Sequence, residues 1–275
     1  MSTCYIPKTM EELGEVLGRL TENSLILAGG TDLVLRLRSK NLQPGALLSL
    51  GGVPALREIE ITPEQVSIGA MATMAEVKKA VDDLPDLQAL ADAAGGVGSP
   101  QIRNKGTIGG NTANASAAAD LPPVLWLLNA QAEIMGPGGA LRTIPVQELP
   151  DGRQGNTLAL GEVVIRFVID RTSFKGWRSA FVKLGHRSQV TISRIGMAMA
   201  LLQDKDGVVQ DALVVAGAIK PIPFRLPAAE DILRGKKPDP ALAIELGETF
   251  KGNTRRVYKE NAAKGVFQDT LLRFQ

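Results

Sequence analysis

Two glycine pairs, Gly29-Gly30 and Gly109-Gly110, lie eighty positions apart, each at the end of an apolar segment. Thr31 follows the first pair, and Thr107, Asn111 and Asn114 surround the second. Glycine enters positive φ without a side-chain clash, so successive backbone N–H groups can converge into an anion-binding nest. Two nests from distant segments could hold a pyrophosphate between them, one phosphate each, without a cationic side chain. A glycine pair is equally the ordinary mark of a tight turn. The matched hydroxyl and amide flanks, with the second pair inside a long loop, speak for the anion. No G-x-G-x-x-G follows a strand and no G-x-x-x-x-G-K-[ST] occurs, so Rossmann and P-loop frames lack support.

Other chemistries are thinly supplied. Cys4 and His186 are the only residues of their kinds. A disulfide framework, a Cys-ligated zinc and an iron–sulfur cluster held within this chain are thereby excluded. His-based metal sites and catalytic triads are poor candidates, and His186 receives no role. With 31 Lys+Arg against 29 Asp+Glu and no basic run, nothing points electrostatically to nucleic acid or an acidic membrane. Met1 to Leu20 carries Glu11, Glu12, Glu15 and Arg19 where a signal peptide needs an apolar run. The apolar runs Leu121–Leu128 and Ile195–Leu202 fall far short of the ~18 residues of a membrane span. A cytoplasmic, reduced protein is expected.

The length, 275 residues with 44% hydrophobic, suits one large domain or two moderate ones. Glycine (29) and proline (16) together exceed the roughly 12% usual in globular proteins. Thr9-Met10-Glu11-Glu12 reads as a capping box opening a helix with Leu13, Val16, Leu17 and Leu20 on one face. Ser24–Ala28 reads as a buried strand running into Gly29-Gly30, and LVLRLR after Thr31-Asp32 as helix or strand. Ala46–Leu50 and Val66–Gly69 are strand candidates, Met74–Val81 and Asp86–Ala94 helical ones. Gly95 to Asp120 is small, polar and irregular, longer than a structureless loop normally runs unless it is functional or disordered. Its low charge, and Ile102 and Ile108 as anchors, argue against disorder. Asp120-Leu121-Pro122-Pro123 resembles an N-cap with proline in the first turn. Thr157–Ile169 reads as a strand pair broken at Gly161. Beyond Lys175 come strands at Ala180–Leu184, Ile192–Leu202 and Ala212–Ala218, the last two joined by a turn at Asp204–Gly207. Helices around Ala228–Leu233, Pro240–Phe250 and Thr254–Ala263 close the chain, an α+β plan.

LAGGTDLV (Leu27–Val34) and GSPQIRNKGTIGGNTANASAAADLPP (Gly98–Pro123) resemble the two FAD-binding segments of the flavoprotein subunits of molybdenum hydroxylases. Xanthine, carbon monoxide and nicotinate dehydrogenases belong to that group. IGAMAT (Ile68–Thr73), EVVIRFVI (Glu162–Ile169), FVKLGHR (Phe181–Arg187) and ISRI (Ile192–Ile195) agree in order. The resemblance implies an α+β protein. Residues 1–174 would form a two-part FAD-binding domain of the vanillyl-alcohol-oxidase type, and residues 175–275 a small antiparallel α+β domain like that of carbon monoxide dehydrogenase flavoproteins. It places FAD along Leu27, Ala28, Gly29, Gly30, Thr31, Asp32 and Leu33. Thr107, Gly109, Gly110, Asn111 and Asn114 would meet the pyrophosphate from the other side. Asp120 would bind ribose hydroxyls, although alone it reads as a helix cap. Ile165 would lie near the isoalloxazine, although periodicity alone makes it core. Lys183 would approach the flavin, although alone it reads as an exposed lysine on an edge strand. Where some members carry a tyrosine or an acid beside the ring, this chain has Ser188-Gln189-Val190-Thr191.

The implied partners are a [2Fe-2S] iron–sulfur subunit and a molybdopterin subunit that oxidises the substrate, with NAD or another acceptor taking electrons from FAD. The branch with a four-iron cluster in this subunit is excluded, since Cys4 cannot ligate one alone. A free-standing flavin oxidoreductase and a non-catalytic flavin-binding module stay open as alternatives.

Overall fold

The computed structural model describes residues 3–153, 155–187 and 190–275. The chain begins with β1 (Thr3–Tyr5), α1 (Met10–Leu17), β2 (Ser24–Leu27), α2 (Leu33–Ser39) and β3 (Ala46–Ser49). The three strands form a parallel sheet in the order β1-β3-β2. At the start of α1 the Thr9 hydroxyl accepts from the Glu12 N–H, but the Glu12 carboxylate reaches past Thr9 to the Lys8 N–H at 2.6 Å, so only half of the expected box closes. Leu13, Leu17 and Leu20 bury the apolar face of α1. The strand β2, expected to be buried, is only half so, and Ile26 stays 37% exposed. The ambiguous LVLRLR segment is the helix α2, and none of its residues is buried.

The chain continues through β4 (Ile59–Ile61), β5 (Gln65–Gly69), α3 (Met74–Val81), α4 (Gln88–Gly96), α5 (Pro100–Arg103), α6 (Ile108–Ala113), α7 (Leu121–Leu127), β6 (Gln131–Met135), β7 (Leu141–Pro145) and β8 (Val163–Asp170). The strands make an antiparallel sheet ordered β4-β5-β8-β6-β7. A complete capping box, Thr73 with Glu76, opens α3. The stretch expected to be irregular holds α5 and α6, which at four and six residues are too short to leave a periodic signature. Ile108 anchors it as expected, fully buried, whereas Ile102 is 36% exposed. The expected strand pair over Thr157–Ile169 is the single strand β8. Ahead of it the chain turns at Gly161, whose φ is +78°. The hairpin β6–β7 carried no sequence expectation; it turns through Gly138 and Gly139, both at positive φ.

Last come β9 (Trp177–Leu184), β10 (Ile195–Gln203), β11 (Val209–Gly217), β12 (Phe224–Arg225), α8 (Pro227–Leu233), α9 (Ala243–Glu248) and α10 (Val257–Leu271). The strands form an antiparallel sheet ordered β12-β11-β10-β9. The long apolar run of β10 is explained by burial on both faces. Ala198 and Ala200 join the core of the second sheet with α3, α4 and α7, while Met197, Met199 and Leu201 join Leu233, Leu246, Phe250 and Phe267 beneath α8–α10. Polar ties reinforce that seam. The Ser179 hydroxyl donates to the Asp86 carbonyl and accepts from the Ala89 N–H, and Arg171 pairs with Asp86 at 2.8 Å. The helix expected over Thr254–Ala263 runs on to Leu271, and that over Pro240–Phe250 shortens to α9. Among the described residues no helix is long and apolar enough to cross a membrane. The expected α+β class with a small antiparallel C-terminal sheet is what the chain adopts.

Candidate functional site

A cleft of about 630 Å³ opens where the three sheets converge. Its wall includes Ala28, Gly29, Gly30, Thr31, Asp32 and Leu33 from the β2–α2 turn. Thr107, Gly109, Gly110, Asn111, Asn114 and Asp120 come from the second segment, and Lys183 from β9. Leu27 and Ile165, the other two expected residues, are not part of it. Ile165 packs with Leu13, Leu17 and Leu48 in the core, and its carbonyl accepts from the Ala70 N–H. The strand β8 meets the cleft instead through Val163 and Val164, two positions and one position earlier.

The two glycine segments touch. A Cβ on Gly29 would fall 1.9 Å from the Lys105 carbonyl oxygen, so only glycine lets the second segment pass. Gly30 adopts φ +75°, as a nest requires. The N–H groups of Gly29, Gly30, Thr31, Asp32 and Leu33 donate to no partner among the described residues, a row of five consecutive free donors at the foot of α2. The second segment works differently from expectation. Gly109 and Gly110 are not at positive φ but lie in the first turn of α6, capped by Thr107. Their N–H groups are already committed, to the Ala70 carbonyl at 2.9 Å and the Thr107 hydroxyl at 3.1 Å. Gly109 is needed for close approach, since its Cβ would sit 2.6 Å from that of Ala70. What this segment offers a ligand is the Asn111 amide, whose Oδ1 is buried without a partner. A buried acceptor left alone is costly, and a ligand hydroxyl would satisfy it.

Asp120 does not cap α7: it makes no side-chain bond to that helix. Its carboxylate accepts instead from the Lys183 ammonium at 2.6 Å and from the Ser193 hydroxyl. Burial pushes the Asp120 carboxyl above the usual carboxylate range, and Lys183 and Ser193 offset only part of this. Lys183 does lie on the edge strand β9, yet it is mostly buried and paired rather than exposed. Glu162, also on the cleft wall, is held by Arg142 at 2.6 Å, which keeps its pKa below the ordinary value. The cleft's three carboxylates, Asp32, Asp120 and Glu162, thus each have a basic partner, and no histidine, cysteine or aromatic side chain lines the cleft among the described residues. Of the segment expected beside the ring, Ser188-Gln189 lies outside the described residues, while Val190 and Thr191 border the cleft. Sequence reasoning missed Asn156, Val163, Val164, Ile192 and Ser193 as wall residues. Only the pairing of Ser193 with Asp120, invisible without the fold, could have marked it.

These features fit FAD: free N–H groups for a pyrophosphate, an unpartnered amide for hydroxyls, and an apolar wall for a ring. Comparison with known proteins agrees. Residues 1–170 match the FAD binding domain in molybdopterin dehydrogenase, and residues 180–272 the CO dehydrogenase flavoprotein C-terminal domain. The nicotinate dehydrogenase FAD-subunit of Eubacterium barkeri is 30% identical over 98% of this chain and 94% of its own length. The nicotine 6-hydroxylase medium subunit of Paenarthrobacter nicotinovorans is 32% identical over 88% and 83%. Among solved structures, a chain of quinoline 2-oxidoreductase from Pseudomonas putida 86 superposes with a TM-score of 0.87 at 25% identity, covering 99% of this chain and 96% of that one.

Proposed function

The chain belongs to the FAD-binding family of molybdopterin dehydrogenases, and from that premise we propose that it is the relay subunit between a [2Fe-2S] partner and NAD or another acceptor. Substrate oxidation takes place on a separate molybdopterin subunit. The observation that carries the reading is the row of free N–H groups from Gly29 to Leu33 together with the unpartnered amide oxygen of Asn111 on the wall of the same cleft.

When bound, FAD supplies the exchange between single-electron and two-electron transfer; the protein supplies binding, orientation and electrostatics. The N–H groups of Gly29–Leu33 hold the pyrophosphate, with the foot of α2 adding a favourable dipole. Thr107, Asn111 and Asn114, on the wall of the same cleft, would contribute from the second segment. Asp120 accepts from sugar hydroxyls with lone pairs that Lys183 and Ser193 leave free. Val163 and Val164 exclude water from the ring, and Lys183, fixed by Asp120, sets a positive charge on the cleft wall where it favours the electron-rich ring. Residues 1–174 provide the cofactor-binding part and residues 175–275 the closing sheet. A cytoplasmic location completes the reading.

A free-standing oxidoreductase would need an acid–base pair in the cleft, and the three carboxylates there, Asp32, Asp120 and Glu162, are each paired with a basic side chain. Purification of the chain with its native partners tests the proposal. Flavin, [2Fe-2S] and molybdopterin are expected in one complex. Sustained substrate turnover by the isolated chain would overturn it.

A further inference from the structure

On the cleft wall the Asp120 carboxylate receives one donor on each oxygen. The Lys183 ammonium, near the end of β9, bonds to Oδ2 at 2.6 Å, and the Ser193 hydroxyl, just before β10, bonds to Oδ1. Asp120 and Ser193 are only 6% and 5% exposed. Lys183 divides its protons, since it also donates to the Thr191 carbonyl at 3.4 Å. Ser193 has one hydroxyl proton, and Asp120 takes it. Backbone bonds of the β9–β10 connection set where that hydroxyl lies. The Arg194 N–H donates to the Leu184 carbonyl at 2.7 Å, and the His186 N–H to the Thr191 hydroxyl at 3.0 Å. A Cβ on Gly185 would fall 2.1 Å from Thr191 Cγ2, so the two sides of the connection touch there. Asp120 for its part stands just ahead of Pro122 and Pro123, which fix the start of α7.

The last torsion of an aspartate is broad, so a cation on one oxygen alone leaves the carboxylate plane free to turn. A donor on the other oxygen fixes that plane, and with it the direction of the lone pairs left over. A hydrogen bond to the charged form also favours that form, which opposes the burial that raises this carboxyl. Among the described residues Lys183 is the one charged partner of Asp120, and the neighbouring helices α6 and α7 carry no ionisable side chain. The other charged residues of the cleft wall, Asp32, Arg36 and Glu162, pair elsewhere. We propose that Ser193 is a positioning residue for the cofactor: through Asp120 it fixes the carboxylate that receives the sugar hydroxyls of FAD. The inference rests on FAD as the occupant of the cleft and deepens that reading by giving the β9–β10 connection a part in holding it.

Titration of the full chain with FAD across pH, followed by flavin fluorescence, tests it. The ionised carboxylate is the better acceptor, so the wild-type Kd should rise as pH falls through the Asp120 pKa. Ser193→Ala withdraws a bond to the ionised form, and the acid limb should move up by about one pH unit. Within that limb FAD should bind about tenfold more weakly than to wild type, and at alkaline pH less than about threefold more weakly. Ser193→Thr, which keeps the hydroxyl, should restore the limb. In the Asp120→Asn background, Ser193→Ala should change Kd by less than about twofold at any pH. Cofactor-free protein gives a second readout: the decline of the urea midpoint with rising pH should extend about one unit higher in Ser193→Ala. A limb that stays in place, a loss of equal size at every pH, or the same loss in the Asp120→Asn background would overturn the role. No FAD uptake by wild type would sink both this role and the cofactor reading, whereas a loaded chain indifferent to Ser193 sinks only the role.

Discussion

Gly29 and Asn111 serve the cleft in opposite ways, one by what it lacks and the other by what it leaves unpaired. At Gly29 the obstacle to a side chain is backbone, the Lys105 carbonyl, which no rotamer change can relieve. Gly29→Ala should cost about 1–3 kcal/mol of stability and lower FAD retention at least tenfold, read from flavin absorbance per protein after gel filtration. Asn111→Ala should separate structure from binding. Removing an unsatisfied buried acceptor leaves the cofactor-free protein as stable or more so, since that acceptor costs about 1–3 kcal/mol, yet FAD affinity should fall. Melting curves with and without FAD check both signs; a variant destabilised without FAD would mean that Asn111 is structural. The first glycine pair was legible because positive φ and close approach are glycine's own properties. The second was legible in position and not in mechanism, because residue type cannot tell a nest from the tightly packed first turn of a short helix. Asn111 stood out as a polar flank, but its lack of a partner belongs to the fold.

The elements that matter most are the N-terminus of α7 and the strand β9, tied by Asp120 and Lys183. Two prolines made the start of α7 readable, yet the carboxylate before them turns to another strand sixty-three positions on. The strand β8 teaches the same lesson. Its apolar run was evident, but because both faces are buried, hydrophobicity could not decide which residues meet the cleft: Ile165 and Val164 are both core residues, and only Val164 also borders the cleft. Asp120 also gives a pH prediction. Its folded pKa is raised above the ordinary 3.8, so the native state binds more protons than the unfolded one between that value and the raised one. Stability from this group therefore declines as pH rises through that window. Asp120→Asn should abolish this part of the decline, seen as a flatter dependence of the urea midpoint on pH above 3.8 in cofactor-free protein; an identical slope would show that the carboxyl titrates as in the unfolded chain. Lys183→Met, which strands the buried carboxylate, should destabilise by about 3 kcal/mol or more at neutral pH.

At the scale of the whole molecule, the division expected near residue 175 cuts through a shared core. Ala198, Ala200 and Val215 pack with Leu90, Leu125 and Phe167, so the third sheet closes the hydrophobic interior of the second. A chain ending at residue 174 should expose that face and bind a hydrophobic dye, and the full chain should melt in one transition with fluorescence and circular dichroism coinciding. Two separated transitions would show that the parts are energetically independent. The contact of Gly29 with Lys105 bears also on the order of events during synthesis. The cradle at Gly29–Leu33 has no second wall until a segment some seventy-six residues later arrives, and Lys183 and Ser193 follow later still. Such non-local closure is slow compared with helix formation. The pocket is thus a late product of folding, and the flavin cannot serve as a template for the emerging N-terminal strands: it can only lock a nearly finished chain.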